Sequence, residues 1–213
     1  MFLISSPILF AMIAFPDSIA WSWNEGRGGY FFALVFVIAE LIGLKIIISK
    51  KRLLAIAPIA LLTISYLVSL EYGLREFLIE SATQFNVQLI YSWTWMWDFI
   101  VMAIFIVIGL TIFFGKRWIR IAPAAPIFLS GTAIILSLDA FFPYDTLGPL
   151  QYIVPYFVQA NVWIITALDL GTAIARDNIM FLRGDHGSMA LQVFWPSAGV
   201  HSIIIFSLVI GAF

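Results

Sequence analysis

Residues 93–114 read WTWMWDFIVMAIFIVIGLTIFF, and this run decides the class of protein. A helix needs about 20 mostly apolar residues to cross the hydrocarbon core of a bilayer, and the only ionisable side chain in this run is Asp98. Trp93, Trp95 and Trp97 stand at its start, and Trp is enriched at the level of lipid headgroups. The run therefore predicts a transmembrane helix whose first turns lie at one membrane surface.

The composition of the whole chain leads to the same class. The chain is 62% hydrophobic and only 11% charged, with a mean hydropathy of +1.03, whereas soluble domains carry about 25% charged residues. A net charge of -1 excludes the dense cationic surface that nucleic-acid binding requires. Because the sequence contains no cysteine, disulfides, thiolate metal sites and a thiol nucleophile are excluded as well.

The hydropathy pattern predicts an all-α polytopic membrane protein with about six transmembrane helices. The predicted spans are residues 1–15, 30–48, 53–70, 93–114, 121–138 and 197–213. A further apolar stretch, 149–168, is punctuated by Gln, Pro and Asn, which favours a helix lying in the outer membrane interface. Residues 1–213 are predicted to form a single integral membrane domain, and we expect it to be truncated at the C-terminus, because the last run ends without a basic residue.

Basic residues orient the predicted bundle, because Lys and Arg accumulate on the cytoplasmic side of membranes. Two short loops carry only basic charges, namely Lys50, Lys51, Arg52, Lys116, Arg117 and Arg120. The segments predicted on the other side, 16–29, 71–92 and 139–196, carry mostly acidic charges. The chain is therefore predicted to be a multi-pass protein of the plasma membrane, with Ser197 near the extracytoplasmic face.

Three ionisable residues fall within or beside the predicted spans, and burying a charge in lipid is costly enough to make each a functional candidate. Lys45 is close enough to Lys50 for its ammonium to reach the cytoplasmic interface. Asp98 is predicted to lie close to the outer boundary. Glu40 falls near the middle of its predicted span, where we expect it to join helices through hydrogen bonds. The alternative hypothesis is a transporter that uses Glu40 and Asp98 as an ion or proton site.

The residues before Pro196 show a local pattern of two short extended segments around a turn. Residues 178–182 and 188–194 are short extended candidates on either side of the turn-forming residues 183–187, which predicts an extracytoplasmic β-hairpin. Pro suits the first turn of a helix, where its missing N–H costs nothing. Pro196 therefore places Ser197 at the start of the last predicted helix.

Ser197 at this position is a candidate nucleophile. Free amides at a helix start stabilise negative charge, so the amides of Ala198 and Gly199 are candidates for an oxyanion hole. His201, one helical turn later, and His186, in the hairpin turn, are the candidate bases. The alternative is that Ser197 is only an N-cap and that each histidine is only a structural hydrogen-bonding group.

Residues 187–202, GSMALQVFWPSAGVHS, resemble the nucleophile segment of the exosortase/archaeosortase family. The family motif reads Cys, a small residue, Gly, an aliphatic residue, a polar residue and Ser, and residues 197–202 fit it at every position but the first. Ser in place of Cys is similar to the thaumarchaeosortase branch. The preceding amphipathic helix, the hairpin and residues 23–29, WNEGRGG, also resemble the family.

The resemblance implies a sortase-like transpeptidase or peptidase. It implies that the enzyme cleaves the C-terminal sorting signal of exported proteins outside the membrane, through an acyl-enzyme on Ser197, and that a membrane lipid is the acceptor. Family members also use an Arg and a second Arg or His from later helices, which residues 1–213 do not include. Arg183 is the predicted substrate-binding cation, and which of Arg176, Arg183, His186 and His201 replaces the family residues stays open.

A second hypothesis is a non-catalytic subunit or scaffold of a larger membrane-protein complex, which the missing arginine helices favour. No cofactor is predicted, because the sequence contains no nucleotide-binding loop. No metal site is predicted either, because two histidines without cysteine do not form a ligand cluster at recognisable spacing.

Overall fold

The computed structural model describes residues 2–20, 26–44, 49–143, 151–184, 187–195, 206–207 and 209–211. The helices are α1 (Phe2–Ala14), α2 (Pro16–Ala20), α3 (Gly29–Leu41), α4 (Lys50–Ser69), α5 (Leu74–Gln84), α6 (Ile90–Phe114), α7 (Trp118–Ile121), α8 (Ala124–Phe141) and α9 (Val154–Ala167). The strands are β1 (Thr172–Arg176), β2 (Ile179–Gly184) and β3 (Gly187–Gln192). The chain divides into two compact units, the first comprising Met1–Phe141 and Ile205–Phe213 and the second Phe142–Ile204.

Three helical segments in the described ranges are long and apolar enough to cross a membrane, namely Lys50–Tyr72, Ile90–Ile121 and Ala124–Phe141. Leu3–Ala14 and Gly29–Leu41 are apolar but shorter. Large apolar side chains on α4 face outward, with Leu54 73%, Leu61 64% and Leu62 70% exposed, an arrangement that suits hydrocarbon. The chain is thus mainly helical with three candidate membrane spans, and the number six stays a prediction.

Helix α6 forms the centre of the first unit, where it packs against α8 and α4. Its Phe99 is fully buried, as is Phe128 of α8. Gly29, at the start of α3, permits the close approach of this third helix, because a Cβ there would lie 2.7 Å from Phe99 Cε1 and 3.3 Å from Phe128 Cε1. A glycine is therefore required where α3 meets α6 and α8.

The two ends of the first unit bring different loops together. At one end Arg52 Nη1 donates a hydrogen bond to Phe113 O at 2.7 Å, which joins the start of α4 to the end of α6. Both basic loops, which are predicted to be cytoplasmic, therefore lie at this end. At the other end Tyr30 OH donates to Asp98 O at 2.8 Å, which joins the starts of α3 and α6. Which end faces the cytoplasm stays a prediction.

Helix α3 is shorter than the sequence predicts. It ends at Leu41, because Ile42 is extended, with ψ 129°, and Gly43 has φ +89°. Glu40 therefore lies at the end of a helix, and the prediction that it falls near mid-span is wrong. Lys45 lies outside the described residues.

Segment 71–92, which is predicted as an outer loop, contains the helix α5. Gly73 has φ +105°, a left-handed conformation that glycine adopts without a steric penalty, and it turns the chain from the end of α4 into α5. The sequence prediction missed this helix because its apolar residues are too few for a span.

The second unit contains α9 and a three-stranded antiparallel sheet in the order β1-β2-β3. The predicted pairing of two strands is confirmed, because β2 and β3 pair from Gly184↔Gly187 to Ile179↔Gln192. The predicted turn 183–187 is too long, because Arg183, Gly184 and Gly187 belong to the strands. Strand β1 was not predicted. Helix α9 lies within the predicted stretch 149–168, and its location in the membrane interface stays a prediction.

Candidate functional site

Most of the predicted site residues lie outside the described ranges, namely Ser197, His201, His186, Ala198 and Gly199. Arg183 is described, and it lies on β2 with an exposed side chain. The register places it between Thr172 on β1 and Ser188 on β3. The described part of the candidate site is therefore the sheet and the chain that leads from it toward Ser197.

Trp195 anchors the chain two residues before Ser197. Its backbone N–H donates to Gln151 Oε1 at 3.1 Å, and its indole Nε1 donates to Phe142 O at 3.1 Å. The residue is only 1% exposed. A buried Trp with both donors satisfied is costly to move. The position of the chain is therefore fixed at Trp195, two residues before Ser197.

One face of the sheet is open and carries a concavity of about 390 Å³. The cross-strand row Ile174↔Phe181↔Ala190 gives it an apolar floor, and Arg183 lies beside this row. Ile174 is 61% exposed and Phe181 is 43% exposed. This face can therefore contact apolar groups with a cation at their side.

A buried cluster in the first unit surrounds Asp98. Arg27 Nε donates to Asp98 Oδ2 at 2.8 Å, and Arg75 Nη2 lies 3.5 Å from the same oxygen. Tyr66 OH donates to Asp98 Oδ1 at 2.9 Å. Asp98 is 0% exposed and Arg27 is 1% exposed. Both oxygens of the buried carboxylate are therefore bound by donors, while the Arg75 side chain, which is 22% exposed, reaches the surface.

The guanidinium groups of this cluster also contact aromatic rings. The Cζ atoms of Arg27 and Arg75 lie 5.2 Å and 4.3 Å from the centroid of the Trp95 ring, and that of Arg27 lies 5.1 Å from the Phe15 ring. Arg27 Nη1 donates to Ser18 Oγ at 2.9 Å. Cation–π contacts strengthen when water is excluded, so the rings help to balance two cations against one carboxylate.

The cluster joins several elements and offers no free base. Arg27 precedes α3, Tyr66 lies on α4, Arg75 on α5 and Asp98 on α6. Donors from Arg27, Arg75 and Tyr66 occupy both carboxylate oxygens of Asp98, so neither oxygen is open to a substrate. The geometry therefore indicates a structural role.

Glu40 also has a structural contact. Its Oε1 accepts a hydrogen bond from the backbone N–H of Ala124 at 2.8 Å. Ala124 is the first residue of α8, where the amides lack partners within the helix and favour a negative charge. The expectation that Glu40 joins two helices is confirmed.

Asp139 is a second fully buried carboxylate, and it lies within α8, although the sequence predicts that an outer segment begins at this residue. Ser92 Oγ donates to its Oδ2 at 2.5 Å, and its Oδ1 has no hydrogen-bond partner among the described residues. The bond links α6 to α8. The sequence prediction ended the span at residue 138, whereas α8 continues through Ala140 to Phe141.

Within the described ranges, no three His, Asp or Glu side chains are arranged to hold a metal ion. The chain has no significant match among protein-family models, curated proteins or solved structures. The likeness to the exosortase/archaeosortase family therefore rests on sequence motifs.

The partners of Asp98 were not evident from the sequence. Arg27 and Arg75 fall in the predicted outer segments 16–29 and 71–92, and Tyr66 falls in the predicted span 53–70. A signal was nevertheless present, because an ionisable residue inside a span requires an opposite charge nearby. The predicted outer segments contain four arginines, Arg27, Arg75, Arg176 and Arg183, and the sequence does not show which of them pairs with Asp98.

Proposed function

We propose that this chain is a membrane-embedded, sortase-like transpeptidase or peptidase that cleaves C-terminal sorting signals of exported proteins. The observation that carries the proposal is the continuity between the hairpin, the anchored Trp195 and the sequence PSAGVHS that follows it. A nucleophile must be held in a defined position relative to its substrate. The anchored residue supports such a position for Ser197.

In this proposal the Ser197 hydroxyl attacks the scissile carbonyl of the sorting signal. The Oγ–C bond forms, the C–N bond breaks, and the hydroxyl proton passes through His201 or His186 to the leaving amine. The amides of Ala198 and Gly199 stabilise the oxyanion. A hydroxyl of a membrane lipid or water then attacks the ester, which releases the product and restores the serine.

The number of membrane spans and the orientation of the chain are part of the same proposal. Six spans, an interfacial α9 and an extracytoplasmic sheet would place Ser197 at the outer surface, where exported substrates pass. The charge asymmetry supports this orientation, because the two basic loops share one end of the first unit. The exposed Arg183 supports a substrate-binding role for the sheet.

The transporter hypothesis loses support from the contacts of its two carboxylates. Asp98 is held by Arg27, Arg75 and Tyr66, and Glu40 binds the start of α8. Along α3, about ten residues separate the helix turn that contacts Asp98 from Glu40, which is roughly 15 Å at 1.5 Å per residue. The two carboxylates therefore do not share one ion site.

The test uses the full-length protein, co-expressed with an exported protein that carries a tripartite C-terminal sorting signal. We expect Ser197→Ala to abolish processing of the signal, seen as loss of the size shift on a gel. Ser207→Ala, which alters an exposed serine on the same predicted helix, is the matched control and should process normally. Normal processing by Ser197→Ala would remove the catalytic proposal and favour the non-catalytic subunit.

Cysteine labelling can measure the orientation separately, because residues 1–213 contain no cysteine. A single cysteine at position 185 should react with a membrane-impermeant maleimide in intact cells. A cysteine at position 116, in a basic loop, should react only after the membrane is opened. The reverse labelling pattern would place the hairpin in the cytoplasm and contradict the proposed access to exported substrates.

A further inference from the structure

Strand β3 forms an open edge of the sheet. The order β1-β2-β3 leaves one side of β3 without a paired strand among the described residues, and all six of its residues are exposed. The opposite edge differs, because α9 packs against β1. An edge strand presents backbone donors and acceptors that are able to pair with another chain.

The ladder fixes which backbone groups point to the open side. Val193 N–H donates to Asn178 O at 2.7 Å, and hydrogen-bonded pairs alternate with non-bonded pairs in an antiparallel ladder. Leu191 and Met189 therefore bond to β2. The residues whose N–H and C=O groups point to the open edge are Ser188, Ala190 and Gln192.

This edge lacks the features that usually prevent strand addition. Natural edge strands are protected by charged side chains, by proline or by bulges. Strand β3 reads GSMALQ, without a charge or a proline, and its register with β2 is continuous. Hydrocarbon cannot satisfy exposed amides, so the edge requires water or another backbone as its partner.

We propose that the open edge of β3 binds the sorting-signal peptide as an added strand, in extension of the transpeptidase function proposed above. Main-chain hydrogen bonds to Ser188, Ala190 and Gln192 supply the affinity, as in other cases of strand addition. The occupant is a peptide because only a backbone matches alternating N–H and C=O groups. In the sequence, β3 is followed within three residues by the anchored Trp195 and then by the proposed nucleophile Ser197, which favours the substrate as the occupant.

The concavity beside the edge favours particular side chains in the bound peptide. Ser188 and Ala190 project to the same face as Ile174 and Phe181. In an added strand, alternate side chains project to this face. Large apolar side chains at those positions reach the apolar row, whereas small polar ones leave it exposed.

The test is Ala190→Pro in the full-length protein. Proline removes the outward N–H and leaves the β2–β3 ladder intact, which is the situation in which an edge strand tolerates proline. We expect processing of the co-expressed sorting-signal protein to fall at least tenfold, with normal amounts of folded enzyme. Ala190→Val, which keeps the outward N–H, is the comparison variant, and its processing should exceed that of Ala190→Pro. Wild-type processing by Ala190→Pro would overturn the strand-addition proposal.

A second measurement covers the case in which Ala190→Pro does not fold. A photo-crosslinking amino acid at Gln192 in the Ser197→Ala background should capture the sorting-signal protein, whereas the same group at Arg176 of β1 should not. Capture of a second copy of this chain at Gln192, or no capture, would overturn the proposal. The two proposals fail separately, because loss of processing in Ser197→Ala with normal processing in Ala190→Pro contradicts strand addition alone.

Discussion

Arg27 and Arg183 lie in opposite environments. Arg27 is 1% exposed and has an aspartate, a serine and two aromatic rings around its guanidinium group. Arg183 is exposed on the open face of the sheet, and no ion pair forms with it among the described residues. A desolvated charge must be matched by the fold, whereas an exposed charge contributes little stability. The first arginine therefore serves the fold, and the second is available to a ligand.

The backbone groups of the two units also differ in whether they have hydrogen-bond partners. The long helices α4, α6 and α8 satisfy their own main-chain groups, which suits a membrane. Strand β3 leaves half of its groups open. We infer that stability is concentrated in the first unit and that recognition is concentrated on the sheet.

The largest expected effect is that of Asp98→Ala. It leaves Arg27 buried without its carboxylate, and breaking a buried pair by removing one partner costs about 3–5 kcal/mol. We expect a large fall in the midpoint of thermal unfolding in detergent micelles. Asp17→Ala, at an exposed residue of the same end, is the control and should change stability by less than about 0.5 kcal/mol. Equal midpoints for the two variants would show that the cluster does not stabilise the fold.

The helical class was predictable from sequence because it depends on local hydropathy. The run around Asp98 predicted α6 nearly to its ends, Ile90 and Phe114. The contacts of Asp98 were not predictable in the same way, because Arg27 and Arg75 are distant in sequence and belong to short segments. Hydropathy shows that Asp98, inside an apolar span, needs a partner. Its partners are determined by how the segment before α3 packs with α4, α5 and α6.

A smaller effect is expected for Tyr66→Phe. The change removes the donor to Asp98 Oδ1 and leaves both arginines in place. An unsatisfied buried acceptor costs about 1–3 kcal/mol, so unfolding in micelles should begin at a temperature between those of wild type and Asp98→Ala. Tyr72→Phe removes a hydroxyl from a residue that is 85% exposed, and its midpoint should match wild type. A larger loss in the control than in Tyr66→Phe would contradict the assigned hydrogen bond.

The candidate site was predictable in part, for a different reason. The hairpin followed from turn-forming residues between two short apolar runs, and the structure confirms it. Strand β1 was missed although it pairs with β2, its neighbour in sequence. The anchor of Trp195 was missed because it depends on partners far along the chain, Phe142 and Gln151. Local pattern therefore located the hairpin, but it did not reveal the third strand or the fixed point before Ser197.

The smallest expected effect tests whether the open face of the sheet is free. Ile174 is 61% exposed, and threonine keeps its β-branching and its preference for strands, so Ile174→Thr should change stability by less than about 0.5 kcal/mol. Val158→Thr places a hydroxyl at a 2% exposed position of α9 in the same unit, where burial of a polar group costs about 1–3 kcal/mol. Limited proteolysis of the second unit should therefore accelerate for Val158→Thr alone. Equal acceleration for both variants would mean that the folded protein covers the Ile174 face, and the concavity would then belong to the core instead of to a peptide-binding surface.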